Sequence, residues 1–311
     1  MVLHTIINIF WFFGIIKLLE LALRAFWFIR RQLRTTDHLP VKYGKGSWAI
    51  VTGGSDGIGL EFAKELARLG FNIVLVSRTQ EKLQKAKKQI ESQNNQTQVQ
   101  TILFDFTKSI KPEVYQTEIV SKIQNLDISI LVNNVGMIVP GDFDLVSPQE
   151  HKDQMDVNLM PATILTKLLM NQMLNRKNGL RSAILFNTSV QAVTQMAGTA
   201  TYGATKVFLD YLSKALSHEN RHKMDVLSFQ CGLVSTNFIG KQSKTLTVIT
   251  PQQAAYCALR DLGFEFQTNG HWIHEIHFHV VSKMMKWGGQ MAHDWNSNKC
   301  NQVFQKTHKK Q

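Results

Sequence analysis

The sequence predicts an α/β fold in which a doubly wound parallel sheet is covered on both faces by helices. Short apolar runs alternate with longer segments of helical character over residues 48–230, an order typical of strand–helix–strand units. Three of the apolar runs are followed closely by Gly53, Asn133 and Ser189. Ligands of such sheets bind beyond the carboxyl ends of the strands, so we expect these residues to share one crevice.

Composition limits the classes of partner. The 311 residues, 44% of them hydrophobic, are enough for one large α/β domain with appendages. Cys231, Cys257 and Cys300 have no CxxC spacing, which predicts neither a disulfide framework nor a zinc site and favours a reducing compartment. The net charge is +12, yet no nucleic-acid-binding motif accompanies it. We therefore expect a membrane surface and a phosphate-rich cofactor, and no nucleic acid.

Residues 1–29 are predicted to form an N-terminal membrane-anchor helix. The apolar run is long enough to span a bilayer core if Lys17 and Glu20 are tolerated. Together with Arg24 these charges form one helical stripe, so an amphipathic helix lying in the membrane surface is the alternative. Several arginines follow the apolar run, and the positive-inside rule then places the rest of the chain in the cytosol.

Three further segments follow the anchor. Residues 30–46 contain proline and glycines and are predicted to be a linker, and residues 47–265 form the main α/β domain. Residues 266–311 are an amphipathic C-terminal extension. It contains four histidines interleaved with apolar residues, for which we favour packing or membrane contact over a metal site, namely His271, His274, His277 and His279.

A glycine-rich turn lies between the first strand and the helix that follows it. Glycines permit a tight turn and a close approach of the backbone to a diphosphate, and the helix offers free amides and its positive dipole end. Strand, turn and helix in this order predict a dinucleotide site of the Rossmann fold. The candidate cofactor-binding residues of the turn are Gly53, Ser55, Gly57, Ile58 and Gly59.

The second strand ends at Ser77 and Arg78, where dinucleotide sites select their cofactor. An acidic residue there binds the ribose 2′-hydroxyl of NAD, whereas an arginine accommodates the 2′-phosphate of NADP. No acid is present at positions 77–79, so NADPH is the predicted cofactor. At the ends of later strands, Asp105 is expected to bound the adenine pocket, and Asn133 to bridge backbone groups beside the cofactor.

Tyr202 and Lys206 are at positions i and i+4 of a probable helix and therefore share a face. A cation beside a phenol lowers its pKa, which allows the tyrosine to deliver a proton to a developing alkoxide. The hydroxyl of Ser189, at the end of an upstream strand, is placed to hydrogen-bond the substrate oxygen. These three side chains indicate carbonyl–alcohol chemistry.

With these motifs the chain resembles the short-chain dehydrogenase/reductase family. The matching elements are Thr52-Gly53-x3-Gly57-Ile58-Gly59, Asn133-Asn134-Val135-Gly136, Asn158 and Ser189-x12-Tyr202-x3-Lys206. The resemblance implies that Tyr202 is the general acid–base and that Ser189 binds the substrate oxygen. It also implies that Lys206 holds the nicotinamide ribose, and that Asn158 holds a proton-relay water.

The loop after the strand at 226–230 departs from the family pattern. The family usually has Pro-Gly there, followed by a threonine that touches the cofactor carboxamide. Thr236 matches this threonine, but Cys231 stands in place of the proline before Gly232. This substitution leaves the rigidity of the loop open.

A closer likeness lies in the N-terminal segment and in residues 51–59 and 131–137, which resemble membrane-bound very-long-chain 3-oxoacyl-CoA reductases and related 17β-hydroxysteroid dehydrogenases. It implies an NADPH-dependent reductase of long-chain 3-oxoacyl-CoA in fatty-acid elongation, at the endoplasmic reticulum membrane with its catalytic domain in the cytosol. A 17-ketosteroid is the alternative substrate, and a non-catalytic membrane-bound scaffold is the third hypothesis. The family also implies a homodimer through helices near 158–177 and 201–220.

Overall fold

The computed structural model describes residues 2–108, 111–176, 179–236, 238 and 247–308. The chain divides into two compact units, Met1–Thr35 and Thr36–Gln311. The first unit is made by helix α1 (Val2–Gln32). The second unit contains the sheet, the other helices and every candidate site residue.

Helix α1 has exposed apolar side chains along most of its length, among them Phe10, Trp11, Phe12, Phe13, Leu18, Leu19 and Trp27. Near its middle, Lys17 Nζ donates to Glu20 at 2.7 Å, and Arg24 pairs with the same carboxylate. Over the described ranges, no helix combines the length and the apolar character needed to cross a membrane. The predicted N-terminal helix is present, and its spanning of a membrane is not confirmed.

The strands of the second unit form one parallel sheet, as predicted. In the described part of the chain they are β1 (Trp48–Thr52), β2 (Asn72–Ser77), β3 (Val99–Leu103), β4 (Ile128–Asn133), β5 (Ser182–Asn187), β6 (Met224–Phe229) and β7 (Gln267–Thr268). Their order is β3-β2-β1-β4-β5-β6-β7, and all neighbours are parallel. The winding direction reverses between β1 and β4, which is the switch point where open α/β sheets bind ligands.

Helices cover both faces of the sheet. They are α2 (His38–Tyr43), α3 (Gly57–Arg68), α4 (Gln80–Gln93), α5 (Pro112–Glu118), α6 (Pro148–Leu174), α7 (Ala200–Asn220), α8 (Pro251–Asp261), α9 (Trp272–Trp287) and α10 (Gly289–His308). The starts of α6 and α8 are capping boxes, made by Ser147 with Glu150 and by Thr250 with Gln253. These caps fix where the two helices begin.

Alternate residues of the central strands build two separate cores. In β1, Ala49 and Val51 belong to the core under α3 and α8, while Ile50 belongs to the core under α6. This alternation follows from the two-residue period of a strand, whose side chains point to opposite faces. Both faces are apolar, which explains why the strands appear in the sequence as continuous apolar runs.

The predicted linker at 30–46 is largely structured. It includes the end of α1 and the short helix α2, whose Leu39 and Tyr43 are fully buried. Tyr43 Oη donates to Asp225 at 2.9 Å, and Arg176 Nη1 donates to the carbonyl of Tyr43 at 2.8 Å. A six-residue helix is too short to show periodicity, so distant partners such as these are what reveal that α2 belongs to the main unit.

The C-terminal extension reaches the loops that follow β4 and β5. Asp142 accepts hydrogen bonds from Ser297 Oγ and Asn301 Nδ2, both at 2.6 Å. Asn296 Nδ2 donates to the carbonyl of Ala197 at 2.6 Å. Helix α10 therefore packs beside the carboxyl ends of the central strands, where the candidate site lies.

Candidate active site

Two elements bring Ser189, Tyr202 and Lys206 together. Tyr202 and Lys206 lie near the start of α7, and Ser189 follows β5 at the start of a short 3₁₀ turn, where its Oγ accepts from Gln191 N at 3.2 Å. All three are buried, with 8%, 4% and 7% exposure for tyrosine, lysine and serine. Ser189 is close enough to Tyr202 for its side chain to lower the pKa of the phenol. The cluster therefore lies at the carboxyl end of β5.

Lys206 is held away from bulk water. Its Nζ donates to the carbonyl of Asn187 at 2.9 Å and lies 5.5 Å from the centroid of the Tyr202 ring. Burial lowers the pKa of the ammonium to about 8, and the charge interaction with Cys231 partly opposes this change. At neutral pH the lysine is still mostly charged.

Burial has the opposite effect on Tyr202. It raises the pKa of the phenol above its ordinary value, while the hydrogen bond with Ser189 lowers it and Cys231 adds to the rise. The expectation that Lys206 depresses the pKa of this tyrosine is therefore not met in this structure, because loss of solvation outweighs the favourable contacts. The phenol is protonated at neutral pH and available as an acid.

Asn158, in α6, joins two parts of the site. Its Oδ1 accepts from Met137 N at 2.7 Å, and its Nδ2 donates to the carbonyl of Met137 at 3.0 Å and to Thr205 Oγ1 at 3.0 Å. The segment after β4 is thereby fixed against the helix that carries the tyrosine and lysine. The water-holding role of Asn158 stays a prediction.

A second asparagine network, which the sequence analysis missed, connects the glycine turn to Lys206. Asn134 Nδ2 donates to the carbonyl of Thr52 at 2.9 Å, and Asn187 Nδ2 donates to Asn134 Oδ1 at 2.8 Å. The carbonyl of Asn187 in turn accepts from Lys206. The ends of β1, β4 and β5 are thus fixed to one another. The sequence offers one signal for this bridging role, which is the position of Asn134 directly after Asn133 in the Asn-Asn pair.

Asn133, the residue selected from the sequence, points elsewhere. It ends β4, is 4% exposed, and donates through Nδ2 to Thr166 Oγ1 at 3.0 Å. Its partner therefore lies on α6. Contact between Asn133 and a cofactor remains a prediction.

The glycine turn is tight and lies close to its neighbours. Gly53 and Gly57 have φ values of +65° and +57°, in the left-handed region that favours glycine. A Cβ on Gly59 would lie 2.3 Å from the carbonyl oxygen of Gly53, so α3 approaches the turn closely. A Cβ on Gly57 would lie 3.5 Å from Thr236 Cγ2. The turn and the loop after β6 therefore face each other.

Four of the residues selected from the sequence lie at or just after the ends of β1, β2 and β3, namely Ser55, Ser77, Arg78 and Asp105. The two serine hydroxyls are 2.7 Å apart, and Arg78 is exposed. Burial acts to raise the pKa of Asp105, but hydrogen bonds from Thr107 and nearby cations, including Arg78, together lower it. Arg78 and Asp105 are thus close enough for their charges to interact, and the adenine pocket stays a prediction. Ile58, between the two glycines of the turn, packs against the core.

The loop after β6 approaches the tyrosine. Phe238 N donates to Thr236 Oγ1 at 3.3 Å, and the Phe238 ring centroid lies 6.2 Å from that of Tyr202. Cys231, at the start of the loop, is buried, and burial raises the pKa of its thiol to about 12. Residues 238–249 are predicted from the sequence to form a loop over the substrate, and most of them lie outside the described residues.

The histidines of the extension do not converge. In the portion of the chain that the structure describes, no three His, Cys, Asp or Glu side chains are grouped so as to hold a metal ion. His271 caps α9 by accepting from Ile273 N, and His274 is 1% exposed beneath the loop after β6. The cysteines Cys231, Cys257 and Cys300 are free thiols.

Comparisons with known proteins agree with this arrangement. The family profile described as short chain dehydrogenase matches residues 47–247. The very-long-chain 3-oxoacyl-CoA reductase of Macaca fascicularis is 34% identical over 249 residues, covering 78% of this chain and 77% of the relative. The hydroxysteroid dehydrogenase-like protein 1 of Gallus gallus is 32% identical over 249 residues, with 78% and 73% covered.

A solved structure shows the same fold. The short-chain dehydrogenase from Sphingobium yanoikuyae in complex with NADPH has a TM-score of 0.62 at 24% identity, covering 69% of this chain and 83% of its own. The residues matched by the family profile include the glycine turn and the buried serine, tyrosine and lysine. The chain therefore belongs to the short-chain dehydrogenase family and is an oxidoreductase.

Proposed function

We propose that this protein reduces a long-chain 3-oxoacyl-CoA to the 3-hydroxyacyl-CoA with NADPH, as the reductase of fatty-acid elongation. The observation that carries the proposal is the buried cluster of Ser189, Tyr202 and Lys206 at the strand end beside the glycine turn. The relative from Macaca fascicularis, which bears the name of this activity, supports the choice of substrate.

The residues around the crevice fit a dinucleotide. Gly53 and Gly57 have no side chains and adopt positive φ angles, which lets the backbone of the turn approach a diphosphate at the start of α3. A Cβ on Gly136 would lie 3.6 Å from Lys206 Nζ, so the glycine leaves open space beside the ammonium. Lys206 has further N–H groups for the ribose hydroxyls of the nicotinamide half.

Selection of NADPH is assigned to Arg78. Its exposed guanidinium lies at the end of β2, where a 2′-phosphate is held, and Ser77 and Thr79 beside it supply no competing carboxylate. We therefore expect NADPH to bind more tightly than NADH.

The bound nicotinamide supplies a hydride to the carbonyl carbon of the substrate. Ser189 Oγ hydrogen-bonds the carbonyl oxygen, and Tyr202 Oη transfers its proton to that oxygen as negative charge develops there. The raised pKa of Tyr202 keeps the proton on the phenol until it is needed. The Lys206 cation then stabilises the phenolate that remains.

Two alternative functions are distinguished from this proposal by experiment, namely reduction of a 17-ketosteroid and a scaffold role without turnover. The relative from Gallus gallus, named as a hydroxysteroid dehydrogenase-like protein, favours a 17-ketosteroid as the second candidate substrate. A scaffold without turnover would have no need for a buried lysine beside Tyr202, since burying an ammonium destabilises the fold.

The proposed location is the cytosolic face of the endoplasmic reticulum membrane. Helix α1 carries exposed aromatic and aliphatic side chains together with the charged group Lys17, Glu20 and Arg24, a composition suited to the membrane surface. A homodimer through α6 and α7 is also proposed, since Phe208 and Tyr211 of α7 are exposed at 45% and 77%.

The test of substrate class measures NADPH oxidation by detergent-solubilised protein, with a long-chain 3-oxoacyl-CoA or a 17-ketosteroid at equal concentration. We expect turnover with the acyl-CoA and none above background with the steroid. Tyr202→Phe serves as the control for chemistry at this site. Turnover with the steroid alone would replace the proposed substrate with the alternative.

A further inference from the structure

A histidine of the C-terminal extension holds the loop that follows β6. His274 lies in the first turn of α9 and is 1% exposed. Its Nδ1 accepts from the backbone N–H of Gly232 at 3.3 Å, and its Nε2–H donates to the carbonyl of Leu233 at 3.0 Å. Two successive residues of the loop are therefore fixed by one side chain.

Only one form of the ring makes both contacts. The Nδ1 atom must be unprotonated to accept, and Nε2 must carry the proton to donate, which is a single neutral tautomer. Burial lowers the pKa of His274 to about 4, so this neutral form dominates at physiological pH. The ring therefore holds the loop with two directed bonds that need no ionic partner.

Gly232 is shaped to receive this ring. A Cβ at this position would lie 2.9 Å from Cγ and Cδ2 of His274. Gly232 is not among the glycines with positive φ, so its backbone conformation alone does not require glycine. The close approach of the imidazole is what excludes a larger residue.

The same loop leads to the cofactor side of the crevice. Thr236 faces Gly57 of the glycine turn, and Phe238 approaches the ring of Tyr202. The loop starts at Cys231, which has none of the ring constraint on φ that proline supplies. Two hydrogen bonds from outside the loop offset that lost constraint.

We propose that His274 is a positioning residue, which orders the loop from Cys231 to Thr236 so that the loop binds the nicotinamide half of the cofactor. This inference rests on the proposed use of NADPH. It assigns a role in cofactor binding to the C-terminal extension, which lies beyond the residues matched by the family profile.

The test compares His274→Ala and His274→Asn with His271→Ala. His271 starts the same helix, its ring centroid lies 6.3 Å from that of His274, and it accepts from Ile273 N. His271→Ala therefore weakens the start of α9 without removing a bond to the loop. Asparagine at 274 retains an acceptor for the Gly232 N–H and should restore part of the effect.

Two ligands distinguish positioning from general damage to the fold. NADPH occupies the whole crevice, whereas adenosine 2′,5′-bisphosphate carries the 2′-phosphate without a nicotinamide. We expect His274→Ala to weaken NADPH binding about ten-fold, the value of one to two lost hydrogen bonds. The affinity for the bisphosphate should stay within about two-fold of wild type, because the substitution lies far from the site that binds it. His271→Ala should change neither affinity.

Hydrogen exchange supplies a readout that needs no ligand. In His274→Ala, exchange across 231–236 should increase, while that of β1 and β4 stays unchanged. Gly232→Ala, which retains His274 but displaces its ring, should have the same effect, and the two changes together should be less than additive. Unchanged loop exchange in both single variants, or equal weakening of both ligands, would overturn the proposal. Failure of the wild-type protein to bind NADPH would instead refute the proposed function. Hydrogen exchange of residues 231–236 would then still test whether His274 orders the loop.

Discussion

At the scale of single residues, Lys206 shows how burial and function oppose each other. Its pKa of about 8 lies below the ordinary value of 10.5, so the folded protein holds this proton less tightly than the unfolded chain. Below pH 8 the full cost of burying the ammonium is present, and as pH rises towards 10.5 that cost is progressively lost. Lys206 therefore destabilises the unliganded protein at neutral pH.

Lys206→Met is expected to raise the free energy of unfolding at pH 7 by about 1 to 2 kcal/mol, after the lost bond to Asn187 is subtracted. The same variant should lose reductase activity. Denaturant unfolding at several pH values measures the effect, and the difference from wild type should shrink between pH 8 and 10.5. If the variant had a lower free energy of unfolding than wild type at pH 7, the buried ammonium would not be destabilising.

The spacing of Tyr202 and Lys206 is enough to predict that they share a helix face, and the structure places both on the buried side of α7. The direction of the tyrosine pKa change was not predictable in the same way. It depends on how much solvent the fold removes, and on Cys231, which arrives from a distant loop. Likewise, nothing local to Asn134 or His274 indicates their partners.

At the scale of elements, the short apolar runs predicted the central strands, because a strand that is buried on both faces is apolar at successive positions. Helix α2 and the docking of α10 were not predictable from local pattern. Each depends on side chains far apart in the chain, such as Tyr43 with Asp225 and Asn301 with Asp142. Amphipathic character indicates that one face of a helix is buried, but it does not indicate which other element that face packs against.

Asp142→Ala tests the docking of α10. It removes the acceptor for Ser297 and Asn301, so amides of α10 should exchange about ten-fold faster. The KM for the acyl substrate should also rise, because α10 lies beside the loops after β4 and β5. Asp294→Ala is the matched control, since Asp294 accepts from Gln290 within the same helix. Equal exchange in the two variants would contradict this role of Asp142.

At the scale of the whole molecule, the orientation of the main unit can be tested with its own sequence. Asn95-Gln96-Thr97 is a glycosylation sequon, and Asn95 is exposed in the turn after α4. When the chain is made in the presence of microsomes, we expect Asn95 to remain unmodified because the unit faces the cytosol. As a control, the chain with α1 replaced by a cleavable secretory signal should gain a glycan there. A glycan on the unaltered chain would place the unit in the lumen.

In the proposed reaction, the buried phenol of Tyr202 donates the proton during reduction of a 3-oxoacyl-CoA. The most direct measurement is kcat for a long-chain 3-oxoacyl-CoA in wild type and Tyr202→Phe, with the dissociation constant of NADPH measured on the same preparations. We predict that kcat falls by about 10³-fold, in the range for loss of a general acid, while NADPH binding changes little. A kcat of Tyr202→Phe equal to that of wild type would contradict this role of Tyr202.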